Sequence, residues 1–509
     1  MILVIIRLNH KLGYYLNYLS GNQKQIFNSL YFKSVIYFLA AIAYSYFAGL
    51  SAGDDGLRHL AFAANENIMK SWGDVFPHSL FFTNYDPWFI WHKILSLYIN
   101  IFTYSYAHIA VNITVLSVFM FLLDALLNKY SSFKASPLLI FIVLGITLLA
   151  SHRYIIIRPD LLSGIFLMSA LLLQRHFLVL FILTVFYSSS YYLFFLYTGS
   201  IGLLYLVLKD FKALGIVFSA SLVGLGLHFY YGGEEFVQTV IYLLSDQSLR
   251  DGLDVNEGAP LFAFLKIFNY YILVLGVWIF ASVVIVKNYD YFKKQHIALL
   301  LLLMSPLWLA QIRYYELLKP LFYLYLIIES RVILSTVFAR HLQYYFYSSI
   351  KILKNAQYKT SFIVPALLYT LFMFGYLMKN SEQEKILEQK AYYTNEIFNN
   401  QTILLNSLSS DIYYALYLNP SIKFVPSCSI GWFEKNEKMK KIYVNMMKEN
   451  GISEDELREL LTYVNAKYYI HKTRNLKQTL SFKKLEKLDI VPFMILDNKI
   501  IFENRAHVK

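Results

Sequence analysis

The sequence predicts an α-helical protein that crosses a membrane many times and ends in a small α/β domain outside it. Hydrophobic residues make up 57% of the 509 residues and charged residues only 16%, whereas soluble globular chains average roughly 45–50% and about 25%. Long apolar runs recur between residues 34 and 378. After about residue 380, short apolar segments alternate with helical segments, as in an α/β domain.

Cysteine usage and charge exclude several classes of protein. The single cysteine, Cys428, allows neither an intrachain disulfide nor a cysteine-ligated zinc or iron–sulfur site. The net charge of +13 would suggest a nucleic-acid partner in a soluble protein. With the N-terminus in the cytoplasm, however, the cytoplasmic segments carry about twice as many Lys and Arg residues as the outer segments. We therefore attribute the charge to membrane topology and predict no nucleic-acid partner.

Crossing a bilayer takes about 20 mostly apolar residues, because hydrocarbon offers backbone groups no water. About eleven segments fit this requirement, and an odd number places the C-terminal tail outside. The predicted spans are 34–50, 103–127, 136–151, 160–174, 177–188, 191–208, 213–231, 259–286, 297–312, 317–330 and 360–378. The membrane domain is thus residues 1–379, with a first outer segment at 51–102.

The C-terminal domain, residues 380–509, opens with a polar helical run from Ser381 to Asn400. Short apolar runs predict strands at 402–405, 422–426, 467–471 and 491–496. Helical patterns lie between them at 435–449 and 453–464.

The polar residues that follow the first span are the most informative for chemistry. Asp54 and Asp55 come first, and Arg58 and His59 follow within one helical turn. Charged groups at a membrane surface must be solvated or paired, and this combination is able to take up a proton and hold an anion. The alternative is that the acids cap a helix beginning at Leu57.

A second polar group, Asp86, His92 and Lys93, returns to the same predicted outer surface. Trp88 and Trp91 lie among these residues, and we interpret them as interfacial anchors.

Two further groups fall in predicted outer loops. Arg153, Arg158 and Asp160 lie between the third and fourth spans, and Arg313 lies later in the chain. Arginine suits phosphate because its planar fork bonds two oxygens. Alternatively, Asp160 caps a helix and Arg313 pairs with Glu316, three residues along.

Three polar residues, His108, Asn112 and Asp124, fall within or at the end of an apolar run. We expect ordinary hydrogen bonds between helices there, or a cytoplasmic boundary.

The first 175 residues resemble GT-C fold glycosyltransferases, in particular the protein O-mannosyltransferase and lipid A aminoarabinose transferase-like subgroup. In that pattern an acid follows the first span, then Arg and an aromatic residue or His, an amphipathic helix, a Gly-Asp turn and an aromatic segment with Pro and Trp. The matching residues are Asp55, Arg58, His59, Ala63, Gly73, Asp74, Pro77, Pro87 and Trp91, with Arg158 and Asp160 before the fourth span. The chain departs from the pattern in two ways: Asp86 precedes Pro87 where the subgroup has Lys, and the spacing from His59 to Gly73 is longer.

The resemblance implies transfer of a sugar from a polyprenyl phosphate donor to a glycan, lipid or protein acceptor at the periplasmic face. Asp55 is the first candidate for the general base, with Asp54 as the alternate. Asp160 would position the acceptor or share a divalent metal with the first outer segment, although arginines can neutralise the phosphate without a metal. His92 or Lys93 would take the role of the missing Lys.

We expect the protein in a bacterial cytoplasmic membrane, among membrane lipids, with the C-terminal domain outside. The alternative function is an O-antigen polymerase-like protein or a lipid-linked sugar transporter. A transporter should carry its charged residues near mid-membrane, at broken helices.

Overall fold

The computed structural model shows a mostly helical chain with one small β-sheet. It describes residues 30–48, 55–64, 85–131, 136–155, 158–245, 295–310, 312–337, 390–405, 411–425, 436–447, 452–472, 482–496 and 499–508. The predicted spans 259–286 and 360–378, and the predicted domain boundary, lie outside these residues.

Helices cover every predicted span that falls in the described ranges. They are α1 (Leu30–Ala48), α2 (Asp55–Ala64), α3 (Phe89–Phe102), α4 (Tyr104–Tyr130), α5 (Ser136–Ile155), α6 (Leu161–Leu173), α7 (Phe177–Ser190), α8 (Phe194–Val207), α9 (Phe211–Ser245), α10 (His296–Leu303), α11 (Ser305–Ala310) and α12 (Ile312–Val337). The predicted span 297–312 is divided between α10 and α11, because Pro306 has no N–H with which to continue the first helix.

Helix length does not confirm about eleven membrane crossings. Within the described ranges, two helical segments are long and apolar enough to cross a membrane, Tyr106–Tyr130 and Phe211–Gln238. Several other helices are too short to cross: α6, for example, has 13 residues and spans about 20 Å, whereas the hydrocarbon core is about 30 Å thick. The structure therefore supports the helical fold and leaves the number of crossings a prediction.

Helix α9 bends near its middle. Gly233 has φ 53° and ψ −136°, which is not helical, and glycine adopts positive φ without the steric cost that a Cβ imposes. A Cβ on the neighbouring Gly232 would lie 3.0 Å from the ring of Tyr85. The bend thus lets the segment before α3 approach the α9 backbone closely.

Three lysines, Lys33, Lys129 and Lys212, lie at one end of the helical bundle. We call this end the basic end. Lys33, at the start of α1, bonds Asp124 near the end of α4 at 2.8 Å, so these two helices are antiparallel. Lys129 donates to the carbonyl of Leu171, at the end of α6, at 2.6 Å. Lys212, in α9, lies over the ring of Phe177 at the start of α7.

The C-terminal part contains a five-stranded sheet flanked by helices. Its strands are β1 (Thr402–Leu405), β2 (Lys423–Val425), β3 (Tyr468–Lys472), β4 (Ile490–Leu496) and β5 (Lys499–Asn504), in the order β2-β1-β3-β5-β4. The β1 strand pairs in parallel with β2 and β3, and β5 pairs antiparallel with β3 and β4. Its helices are α13 (Asp411–Leu418), α14 (Glu437–Met447), α15 (Glu454–Tyr463) and α16 (Phe482–Lys487).

The four predicted strands and both predicted inter-strand helices are present, whereas β5, α13 and α16 were not predicted. The predicted helical run 381–400 is wrong over its described part, which forms two 3₁₀ turns, Ala391–Thr394 and Glu396–Phe398. The side chain of Asn395 accepts the N–H of Ile397 between the two turns. This local bond competes with a continuous helix.

The sheet has two buried faces. Ile403, Phe424 and Ile470 belong to the same apolar core as the N-terminal helices. Leu404 and Tyr469, which alternate with them, pack under α14 and α15 in a second core. Helix α13 also packs against α2, so the C-terminal part lies directly over the segment that carries Arg58 and His59.

Candidate functional site

The candidate site begins on α2, a short helix held inside the protein. Residues 57–63 are all buried, because α3 packs on one side of the helix and α13 on another. Arg58 and His59 are each only 2% exposed. Burying a guanidinium and an imidazole is costly unless other groups compensate, and the next segment of chain brings some of these groups.

Asp86 forms the turn that leads into α3. Its Oδ1 accepts the backbone N–H of Trp88 at 2.9 Å, an Asx-type turn in which the intervening Pro87 already has a restricted φ. Its Oδ2 lies 2.5 Å from Nδ1 of His92, one turn into the helix. Asp86 is 4% exposed and His92 is fully buried.

His92 joins this turn to α2. Its Nε2 lies 2.7 Å from Nδ1 of His59, while its Nδ1 contacts Asp86. The three side chains therefore form one continuous buried line, which we call the Asp86–His92–His59 chain. Within a dry interior, such a line of hydrogen bonds is stronger than in water.

Aromatic rings close the space around the two imidazoles. Trp88 meets His59 edge to face with ring centroids 5.0 Å apart, and Phe62 lies 4.5 Å from the His92 ring. These rings exclude water from one side of the chain.

Positive charge surrounds the His59 end. Burial is the main cause that lowers the pKa of His59 well below its usual value, and the nearby His92, Arg58 and Arg158 lower it further. His59 is therefore a neutral imidazole at pH 7, close to two guanidinium groups.

Asp160 lies at the start of α6, two residues after Arg158. It occupies the N-cap position but makes no side-chain capping bond, so the interpretation of Asp160 as a simple helix cap is wrong. It is 8% exposed and interacts electrostatically with Tyr154 and Tyr187. The Tyr187 hydroxyl is 2.8 Å from that of Ser163. A second polar cluster thus lies at the same end of the bundle.

Tyr85 connects the site to α9. Its ring packs edge to face on Phe236, with centroids 6.3 Å apart. Burial raises the pKa of its hydroxyl, and the nearby Tyr192, Glu235 and Asp86 raise it further. The segment before α3 is therefore fixed on both sides, at His92 and at the bend in α9.

The structure brings together some of the sequence-predicted site residues. His59, Asp86 and His92 are in direct contact, and Arg58 and Arg158 are near His59. Lys93 is exposed on α3 and does not join them.

Other predicted residues are only partly described. Asp55 is the first residue of α2, so this helix starts before Leu57. Asp54 and the side chains of Asp55, Arg153 and Arg313 lie outside the described parts of the structure. Glu316, the predicted partner of Arg313, bonds Lys319 at 3.3 Å.

The link from His92 to His59 is the feature that sequence reasoning missed. The two residues are 33 positions apart, and nothing in the local sequence fixes how α2 and α3 pack. A partial signal was present, since an acid just before a helix and a His six residues later face each other across the first turn.

A metal site is not supported. Within the residues that the structure describes, no group of three or more His, Cys, Asp or Glu residues is arranged to hold a metal ion. The possible divalent metal shared by Asp160 and the predicted first outer segment stays a prediction, because part of that segment lies outside the described residues.

Comparison with protein-family models gives no match to this chain, and comparison with curated proteins gives none either.

Proposed function

We propose that this protein transfers a sugar from a polyprenyl phosphate donor to a hydroxyl acceptor at the outer face of a membrane. The observation that carries the proposal is the buried Asp86–His92–His59 chain beside two arginines. This combination provides a proton acceptor and a binding site for an anion at one place.

The arginines suit the leaving group of this reaction. Phosphate accepts charge-assisted hydrogen bonds from guanidinium groups. The positive charges of Arg58 and Arg158 both lie close enough to His59 to lower its pKa. Their charge would stabilise the lipid phosphate as the bond to the sugar breaks. A base that removes the proton of the acceptor contributes roughly 10²–10⁴-fold.

Topology supports a lipid-linked donor. The basic end carries Lys33, Lys129 and Lys212, as expected of the cytoplasmic side, whereas α4 begins at the opposite end, where α13 and α2 meet. On our assignment the site is therefore outside, where nucleotide sugars are absent and the activated sugar has to come on a lipid.

The transporter alternative fits less well. It calls for charged groups near the middle of broken spans. In the described ranges, Asp86 precedes α3 and Arg158 precedes α6, so these charges lie at helix ends.

The direct test uses the full chain in lipid nanodiscs, with undecaprenyl phosphate-linked hexoses and pentoses as donors and glycolipid or Ser/Thr peptide acceptors. We expect release of undecaprenyl phosphate together with a glycosylated acceptor. Arg58→Gln and Arg158→Gln should each weaken binding of undecaprenyl phosphate by roughly 10-fold or more, the loss of one charge-assisted bond. Lys212→Gln, at the basic end, is the control. Binding and release unaffected by both Arg substitutions would reject the proposal.

A further inference from the structure

We infer that Nε2 of His59 takes the proton from the acceptor hydroxyl, and that His92 and Asp86 are positioning residues that move the resulting charge away from the arginines. This inference rests on the proposed function and replaces Asp55 as the general base.

Hydrogen bonding fixes the tautomer of each imidazole. Oδ1 of Asp86 accepts an N–H from Trp88, and the oxygens of a carboxylate group act as acceptors. The proton between Asp86 and His92 therefore belongs to Nδ1 of His92, and in the neutral ring Nε2 is left as an acceptor.

The next bond follows from this one. Since Nε2 of His92 has no proton, the 2.7 Å contact requires a donor on the other side, and that donor is Nδ1–H of His59. A neutral imidazole carries one proton, so Nε2 of His59 keeps its lone pair. The carboxylate thus determines, through two rings, which atom of His59 is the base.

The charges around His59 explain why the base needs the Asp86–His92–His59 chain. A proton that stayed on His59 would create a third cation beside Arg58 and Arg158, and these groups disfavour it. If His59 instead passes its Nδ1 proton to Nε2 of His92, the positive charge comes to rest beside the Asp86 carboxylate, 2.5 Å from Nδ1. The base then works without placing a third cation beside the two arginines.

The transfer step balances as follows. The acceptor oxygen forms a bond to the anomeric carbon, and the bond from that carbon to the phosphate oxygen breaks. The acceptor proton moves to Nε2 of His59, and the Nδ1 proton of His59 moves to His92. The polyprenyl phosphate leaves with the electron pair, and the proton later returns to solvent.

The position of α2 supports this role. His59 lies on a helix packed between α3 and α13, and Trp88 holds its ring edge to face. A base needs this fixed orientation within about 3 Å of the reacting proton.

The first measurement requires no catalysis. Nitrogen-15 NMR of the full chain with labelled histidine distinguishes the two tautomers, and His59→Gln assigns one signal among the 12 histidines. We expect Nδ1–H on His59 in the wild type. In Asp86→Asn, the amide can donate to His92 and reverse both rings, so His59 should change to Nε2–H. An Nε2–H tautomer in the wild type, or none of this reversal, would overturn the inference.

The second measurement is turnover with the donors named above. His59→Gln and Asp86→Asn should each lower kcat by about 10²-fold or more, with binding of undecaprenyl phosphate unchanged. Imidazole added to His59→Ala should restore part of the rate, which a purely structural role would not allow. The matched controls at the basic end are His296→Gln, whose ring contacts Tyr130, and Asp210→Asn, which accepts from Gln174.

The outcomes separate the two proposals. The expected tautomers together with wild-type turnover in His59→Gln would overturn the base and leave sugar transfer standing. The expected tautomers with no transfer from any donor by the wild type would reject the proposed function and, with it, the transfer step assigned to His59.

Discussion

Tyr104 donates its hydroxyl proton to the backbone carbonyl of Tyr417 at 2.8 Å, and the two rings stack with centroids 5.1 Å apart. The contact joins the start of α4 to the end of α13, the helix that packs on α2. The C-terminal part is therefore tied to the site by a contact that involves neither Arg58 nor His59.

Tyr104→Phe should loosen this attachment. The substitution keeps the stacked ring and removes one hydrogen bond, worth about 1 kcal/mol. We expect faster hydrogen exchange in α2 and α13 and a fall of a few-fold in turnover. Tyr98→Phe, which removes a bond to Thr114 on the exposed surface of α3 and α4, is the control. Unchanged exchange in α2 would show that α13 is held by apolar packing alone.

At the opposite end, Asp124 should be essential for stability. Its oxygens accept Lys33 at 2.8 and 2.9 Å and Tyr37 at 3.2 Å, and both charged residues are buried. Asp124→Asn leaves the ammonium without its counter-charge, which typically costs about 3–5 kcal/mol. Unfolding in mixed micelles measures the loss. The double variant Lys33→Met with Asp124→Leu should recover most of it, and no recovery would show that the pair itself is not responsible.

The pair of Lys33 and Asp124 shows which part of the fold the sequence could predict. A hydrogen bond between helices was one of two expectations for Asp124, the other being a cytoplasmic boundary, and the bond to Lys33 is present, because a lone acid in an apolar run has to find a partner. Its partner could not be named, since no local pattern determines which helix packs against α4. The helices and the first four strands follow from apolar runs for the same local reason.

The site shows the limit of that reasoning. Asp86, His92 and His59 were all selected as candidates from their residue types and predicted outer location. Their connection depends on how α2 and α3 pack, and the burial of α2 depends on α13, which was not predicted. The sequence therefore identified the three residues as candidates but not their contact. The family resemblance pointed to Asp55 as the general base.

Stability should fall with acid because of His59. Its pKa is lowered by burial and by nearby charges, so between that value and about 6.5 the unfolded state binds more protons than the native state. Stability due to this group is complete above the ordinary pKa and decreases as pH falls below it, by up to about 1.4 kcal/mol per pH unit.

Unfolding of the wild type and of His59→Gln at pH 7.5 and 5.5 measures this dependence. His471 has a pKa lowered by burial as well, so the difference between the two proteins, and not the wild-type slope, isolates His59. We expect the variant to lose less stability on acidification. Equal losses would mean that His59 is as easily protonated in the native state as in the unfolded state.

Asp55 and His59 make opposite predictions for one pair of substitutions. Asp55 begins α2, one turn before His59. Both residues are therefore candidates for the general base. If Asp55 is the base, Asp55→Asn should lower turnover by about 10²-fold or more, while His59→Gln mainly affects stability. If His59 is the base, His59→Gln should lower turnover by about 10²-fold or more. Turnover of Asp55→Asn should then stay within about 10-fold of the wild type, because Asn replaces Asp at a helix start with little loss of stability. Asp54→Asn completes the series. Turnover of the three variants at equal folded fraction, measured from release of undecaprenyl phosphate, decides between Asp55 and His59. A wild-type rate in all three variants would show that none of these residues is the proton acceptor.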